Sequence, residues 1–297
     1  MNQAQPALSR HEPLRIADDT WVIHATLGEG KAPLVVHLNS MVITGAEPIV
    51  VDTGAPIHRD QYLDDLFGIV DPQDVRWVFI SHDDSDHHGN LHEVMDACPN
   101  ATLVANWFLC ERLKAERLDV APTRWRWIGD GDTLDVGDRT LHAIRPPLYD
   151  SPTTRGLFDP TTGVYWASDC YATPVLAGAP TVADIDPEFW IEGFTMFQTW
   201  NSPWVSMLDH DAFAESARTI EQLGVTTIPA PTPQPSPRPT STKPSRCSEP
   251  CPPPPPHPCP TKRHSTRCSP PSSDDQARGT AAADNRDWRQ RRNGVLR

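Results

Sequence analysis

The stretch from Arg76 to Asn90 narrows the fold of this chain most. Arg76–Ser81 reads RWVFIS, a short apolar run, and it is followed at once by His82, Asp83, Asp84, Ser85, Asp86, His87 and His88. Such a run bounded by turn residues reads as a buried strand. A strand that leaves the core straight into six ionisable side chains must open onto a polar cavity or onto solvent. His82, Asp84, Asp86 and His87 offer imidazole nitrogen and carboxylate oxygen, donors that suit iron, manganese and zinc. Together with Asp83 the loop holds three carboxylates, which repel one another unless a cation sits among them. The competing reading, a solvated acidic turn capping a helix, fits less well. The strand before the loop and the Gly89-Asn90-Leu91 helix entry after it frame a built site.

The flanking sequence alternates strand and helix signals. Trp21–Leu27, Val35–Thr44 and Pro48–Val51 are rich in β-branched and aromatic residues and predict strands. His58–Val70 predicts a helix, with Tyr62, Leu63, Leu66 and Phe67 on one face. Leu91–Ala97 and Trp107–Arg117 predict helices around a strand at Ala101–Ala105. Thr140–Ile144, Val164–Ala167 and Val225–Ile228 predict strands. Asp211–Leu223 predicts a helix with Phe213, Ala217, Ile220 and Leu223 on one face and Gly224 as its stop. Alternation of this kind predicts layered sheets with helices outside.

Every periodic signal stops at Pro229. Residues 1–228 carry 14 Lys/Arg against 34 Asp/Glu, whereas residues 229–297 carry 12 against 5 and hold 17 of the 33 prolines. The expected organisation is therefore a flexible N-terminus over 1–13, one domain over 14–229, and a disordered Pro-rich tail over 230–297. Cys247, Cys251, Cys259 and Cys268 in the tail have no compact zinc-knuckle spacing. The acidic front part disfavours nucleic acid as a partner. No stretch is long and apolar enough to predict a membrane helix, and Met1–Glu12 has no signal-peptide core, so a cytoplasmic location is expected. Cys98, Cys110 and Cys170, an odd and sparse set, are expected to be reduced thiols.

The order H-x-[H/E/D]-x-D-H, after a buried strand and before a helix, resembles the metal motif of the metallo-β-lactamase superfamily. Val51-Asp52-Thr53-Gly54 is similar to that family's strand-end turn, which buttresses the metal loop. Ala167-Ser168-Asp169-Cys170 is similar to the segment whose Asp bridges two metals. Asp84 stands where many members have a second His, and Asp150-Ser151-Pro152 follows. Both features resemble the oxygen-binding di-iron domain of flavodiiron proteins.

The resemblance implies an αββα sandwich of two mixed β-sheets with outer helices. It implies the metal ligands His82, Asp84, Asp86, His87 and Asp169, with Asp169 shared between His82/Asp84 and Asp86/His87. Asp52, His88 and Asp150 are then supporting residues. Two metal ions are implied, iron first, with zinc or manganese as alternatives. The implied reaction is binding or reduction of O2 or NO. No flavodoxin-like or Rossmann glycine fingerprint is present, so a separate electron-transfer protein is expected as donor. A metal-dependent hydrolase of small ester, thioester, lactone or phosphodiester substrates is the alternative, and a non-catalytic fold with a degenerate site the third. A homodimer is compatible with each.

Two departures from the pattern stand out. The family's third His belongs near Pro147, and His142 lies too early to replace it. The final His belongs after Ile228, where the chain reads Pro229-Ala230-Pro231-Thr232. The lost His, the switch in charge and the end of periodicity fall together, which points to a shifted reading frame in the tail.

Overall fold

A computed structural model of the chain describes residues 11–28, 34–116, 118–176 and 185–229. The expectations for the tail lie outside these residues. Fourteen strands and six α-helices are described. The first sheet has seven strands: β1 (Leu14–Ala17), β2 (Thr20–Ile23), β5 (Ser40–Ile43), β6 (Ile49–Val51), β7 (Trp77–Phe79), β8 (Thr102–Ala105) and β9 (Trp125–Trp127), in that spatial order. It is antiparallel from β1 to β6 and parallel from β6 to β9. The second sheet is β10 (Thr133–Asp135), β11 (Thr140–Ile144), β12 (Gly156–Asp159) and β13 (Val164–Trp166), antiparallel throughout. A parallel bridge from Val164 to Thr227 makes it mixed. A third, small sheet orders β14 (Val175–Leu176), β4 (Leu34–His37) and β3 (Thr26–Leu27).

The side-chain period of two along each strand sorts the core into layers. Met41, Ile43, Ile49, Val51, Phe79 and Val104 point from the first sheet to Leu134, Leu141, Ala143, Leu157 and Trp166 of the second. The alternate residues Val42, Val50, Val78 and Leu103 face the outer helices. There they meet Tyr62 and Leu66 of α1 (Arg59–Ile69), Val94 and Met95 of α3 (Leu91–Ala97), and Leu109 and Leu113 of α4 (Trp107–Ala115). On the far side, Phe158 and Tyr165 pack with Phe194 of α5 (Pro187–Asn201) and Ile220 and Phe213 of α6 (His210–Gln222). The result is the expected αββα sandwich.

Several elements depart from the expected boundaries. The run Val35–Thr44 splits into β4 and β5, which belong to different sheets. Val225–Ile228 contributes only the bridge at Thr227. The unanticipated helix α5 starts on Asp186, whose side chain accepts from Glu188 N and Phe189 N. Cys98, Cys110 and Cys170 are free and buried, and burial raises their thiol pKa values to about 11, 11 and 12, well away from the reactive range. Among the described residues no helix is long and apolar enough to cross a membrane.

Candidate metal centre

The site forms where β6, β7 and β13 end on the same edge of the sandwich. Parallel pairing of β6 with β7 brings Asp52 beside the motif loop. Asp52 sits fully buried in the left-handed region, at φ 59°. Its carboxylate accepts from Ser81 N at 2.6 Å, Ser81 Oγ at 2.7 Å and Trp166 Nε1 at 2.9 Å, and it lies 2.7 Å from His87 Nδ1. Trp166 is thus a buried strut between the sheets. The turn after Asp52 is tied down as well: Thr53 N donates to His87 O (2.6 Å) and Asn90 Nδ2 to Thr53 O (2.7 Å). Gly89 is required by this close approach, since a Cβ there would lie 2.3 Å from Pro56 Cδ and from Ser85 O.

The motif itself forms a one-turn helix, α2 (Ser85–His88), with Asp84 at the N-cap position but making no capping bond. The Asp84 side chain turns instead to His82, with Oδ2 3.7 Å from Nε2. His82 and His87 are buried with ring centroids 4.0 Å apart. Asp169 lies on the turn after β13, which begins at Ser168 in the left-handed region (φ 52°). Its Oδ1 is 3.0 Å from His87 Nε2 and its Oδ2 3.9 Å from His82 Nε2, so it spans the two imidazoles. Asp86 reaches His87 Nε2 at 3.5 Å. The structure thus brings Asp84, Asp86 and Asp169 within 3.0–3.9 Å of the Nε2 atoms of His82 and His87. His142 lies instead on β11, edge-on to Phe158.

Two residues, Asp150 and Asp83, stand differently from their sequence-based reading. Asp150, expected as support, has Oδ2 3.4 Å from His82 Nε2 and falls into a His82–Asp84–Asp150 group whose ligand atoms lie within 4.8 Å of one another. Asp83, counted above among the self-repelling carboxylates, turns away from the cavity. It accepts from Ser151 Oγ (2.7 Å) and Thr153 Oγ1 (2.5 Å) and pairs with Arg112. Burial pushes its pKa up, but these donors outweigh burial and hold it at about 2. Its function is to fasten the 150–155 loop to the motif, as does Arg155 N donating to Ser81 O (2.8 Å). His88 Nε2 donates to Asp83 O at 3.0 Å and braces the loop from its rim. Ser81, Ser168, Thr153 and Arg112 carried no sequence signal beyond adjacency to the motifs.

The electrostatics call for positive charge. Burial and His87 push the pKa of His82 down, yet Asp84, Asp169 and Asp150 raise it overall. Burial lowers that of His87, and Asp169 with Asp52 drive it well above the ordinary value. Burial raises Asp169, but His87 and His82 bring it to about 2. Burial is also the main reason that Asp150 is raised. The carboxylates that raise both imidazoles are the field that a bound cation would also feel, and metal binding would compete with protons for the same ring nitrogens. One observation tests the fit directly: His82 Nε2 is fully buried and makes no hydrogen bond. His82 Nδ1 is held by Ser168 Oγ at 2.9 Å, and His87 Nδ1 by Asp52, so both rings present Nε2 to the cavity. This is the orientation that imidazole ligands need.

Comparison with known proteins bears on the family and the fold. The family model described as "ODP family beta lactamase" matches residues 36–230. A putative diflavin flavoprotein A 2 of Nostoc is 29% identical over 134 residues, 45% of this chain and 23% of that protein. The crystal structure of the flavodiiron protein from Giardia intestinalis superposes with a TM-score of 0.63 at 17% identity, covering 75% of this chain and 55% of that one. The rubredoxin oxygen:oxidoreductase of Desulfovibrio gigas gives a TM-score of 0.57 at 14% identity, covering 73% and 55%. The chain spans about a quarter of the length of the diflavin relative and about half of the two solved proteins. With two thirds of its residues matched, the chain belongs to the ODP family of the metallo-β-lactamase superfamily, whose relatives here are the flavodiiron proteins.

Proposed function

We propose that residues 14–229 form a di-iron domain that binds and reduces O2 or NO, with electrons arriving from a separate donor. The observation that carries this reading is the buried, unpartnered His82 Nε2, facing the carboxylates of Asp84, Asp150 and Asp169 and lying beside the His87–Asp169 pair. A carboxylate-rich set with only two imidazoles suits iron or manganese better than zinc. When bound, a reduced iron pair would offer an open coordination position to O2 or NO and would pass on the electrons of the donor. The protein supplies orientation: Ser168 and Asp52 fix the two rings, and Asp169 lies between the two halves. The names of the relatives, a diflavin flavoprotein and a rubredoxin oxygen:oxidoreductase, support a flavin or rubredoxin-type donor.

The test is anaerobic loading of the purified protein with iron(II), followed by metal analysis and by O2 and NO consumption with a chemical reductant. Loaded protein is expected to hold iron and consume one of the two gases. Asp169→Ala is expected to lose both ions, because the carboxylate is shared. Zinc uptake with ester hydrolysis and no gas consumption would replace this reading with the hydrolase one.

For the tail we propose a shifted reading frame after Ile228. The family match ends at residue 230, where the Pro-rich sequence begins. Read one base early, the first two bases of the Thr232 codon follow the last base of Pro231, and a C there gives a His codon. The next two codons give Ala if the preceding third bases are G. Sequencing the gene decides it: the idea fails if no alternative frame downstream of Ile228 encodes a His followed by amphipathic sequence.

A further inference from the structure

We infer that Asp150 binds metal directly, taking over the position left open by Pro147, so that one ion of the pair is held by His82, Asp84 and Asp150. The inference rests on the di-metal reading above and adds a ligand to it. Three observations point the same way. The Asp150 carboxylate divides its work: Oδ1 accepts from Thr154 Oγ1 at 3.0 Å, while Oδ2 faces His82 Nε2 at 3.4 Å. One oxygen is therefore anchored and the other is turned to the cavity. Its counterpart, His82 Nε2, is completely buried and makes no hydrogen bond, although carboxylate oxygens lie at 3.4, 3.7 and 3.9 Å. Acceptors on three sides of a buried ring nitrogen are the arrangement expected around an ion. Leaving such a nitrogen unpaired is unfavourable, which an ion in its place would relieve. Finally, the 150–155 loop is bolted to the motif on both sides, by the Asp83 carboxylate accepting from Ser151 Oγ and Thr153 Oγ1 and by the backbone bond from Arg155 N to Ser81 O, which holds Asp150 beside His82.

An Asp in this place makes that half of the centre harder and more anionic than a His would. Iron(II) and manganese(II) gain from the change relative to zinc.

The experiment uses the full chain, loaded anaerobically with iron(II) and separately with cobalt(II) as a spectroscopic probe. Metal content, binding constants from chelator competition and the cobalt ligand-field spectrum are the readouts, and thermal melts establish that each variant folds. The parent is expected to bind a pair of ions. Asp150→Asn is expected to lose one of them, or to bind it more than about 100-fold more weakly, beyond the 10–100-fold typical of a residue that only orients a ligand. The cobalt spectrum of that ion should change, and Asp150→Glu should restore binding in part. A variant Asp150→Asn that keeps both ions with less than about 100-fold weakening overturns the inference while leaving the di-metal reading intact. A parent that takes up no metal under either loading overturns both.

Discussion

The two histidines of the centre sit in contrasting surroundings. His87 is held at both ring nitrogens: Nδ1 lies 2.7 Å from Asp52 and Nε2 3.0 Å from Asp169. His82 is held at one nitrogen only, by Ser168 at 2.9 Å and Ser81 at 3.3 Å, and its other nitrogen faces carboxylates at 3.4 Å or more. The His87 half is built into the core through Asp52, which also takes Ser81 and Trp166. The His82 half is completed by groups on two loops and at the more exposed edge, where the side chain of Asp84 is 55% exposed. The difference teaches that one half contributes to folding stability without metal, whereas the other is a set of ligands in want of an ion.

The largest test of that contrast is Asp52→Ala. It strands Ser81 N and Trp166 Nε1 in the buried centre, and leaves Ser81 Oγ with Ser168 Oγ at 3.0 Å and His87 Nδ1 with Ser81 Oγ at 3.4 Å. The expected loss of stability in the metal-free protein is about 3–5 kcal/mol, read from urea denaturation. Part of it, about 1 kcal/mol, is strain of Ala at positive φ, and Asp52→Asn, which tolerates that conformation, isolates the remainder. A loss under about 1 kcal/mol for both variants would break the comparison. Ser168→Ala acts on the other half. It removes the acceptor that orients His82 but leaves Ser81 Oγ at 3.3 Å, so metal affinity should fall about 10-fold, the low end for an orienting partner, with little change in metal-free stability. Chelator competition measures it, and unchanged affinity would mean that the ring is fixed by packing alone. The smallest effect belongs to Thr153→Ala. Asp83 keeps Ser151 and Arg112, so about 1 kcal/mol of stability is expected to go. Metal content should stay at the parent's level. Loss of metal in this variant would show that the 150–155 loop positions Asp150 more strongly than its other tethers allow.

How much of this was legible beforehand differs by residue. Leu91–Ala97 and Thr140–Ile144 were read to the residue, because a clear apolar face or a β-rich run is bounded by turn formers on both sides. The helix Pro187–Asn201 was missed: apolar residues occur all along PEFWIEGFTMFQTWN, so no single face announces itself. Gly156–Asp159 was missed because its four residues are buried on both faces and show no alternation. At the site, the six-residue motif was visible since its ligand types are crowded within one loop. Asp150 was visible only as a neighbour of a motif, because sequence gives no distance between the 150–155 loop and His82.

What the sequence determined by itself is the chemistry on offer: two imidazoles and several carboxylates at the ends of buried strands, and an abrupt change of character at Pro229. The tertiary structure alone decided which of those groups meet. Parallel pairing of β6 with β7 brings Asp52 to His87 across 35 residues, and the turn after β13 brings Ser168 to His82 across 86. It also sent Asp83 to Arg112 and left Asp150 facing His82. The physical reason is that ligand type is a local property of a side chain. Whether a carboxylate faces the cavity or a neighbouring hydroxyl is set by backbone direction at the end of its strand or loop, and that direction is fixed by packing between segments far apart in the chain.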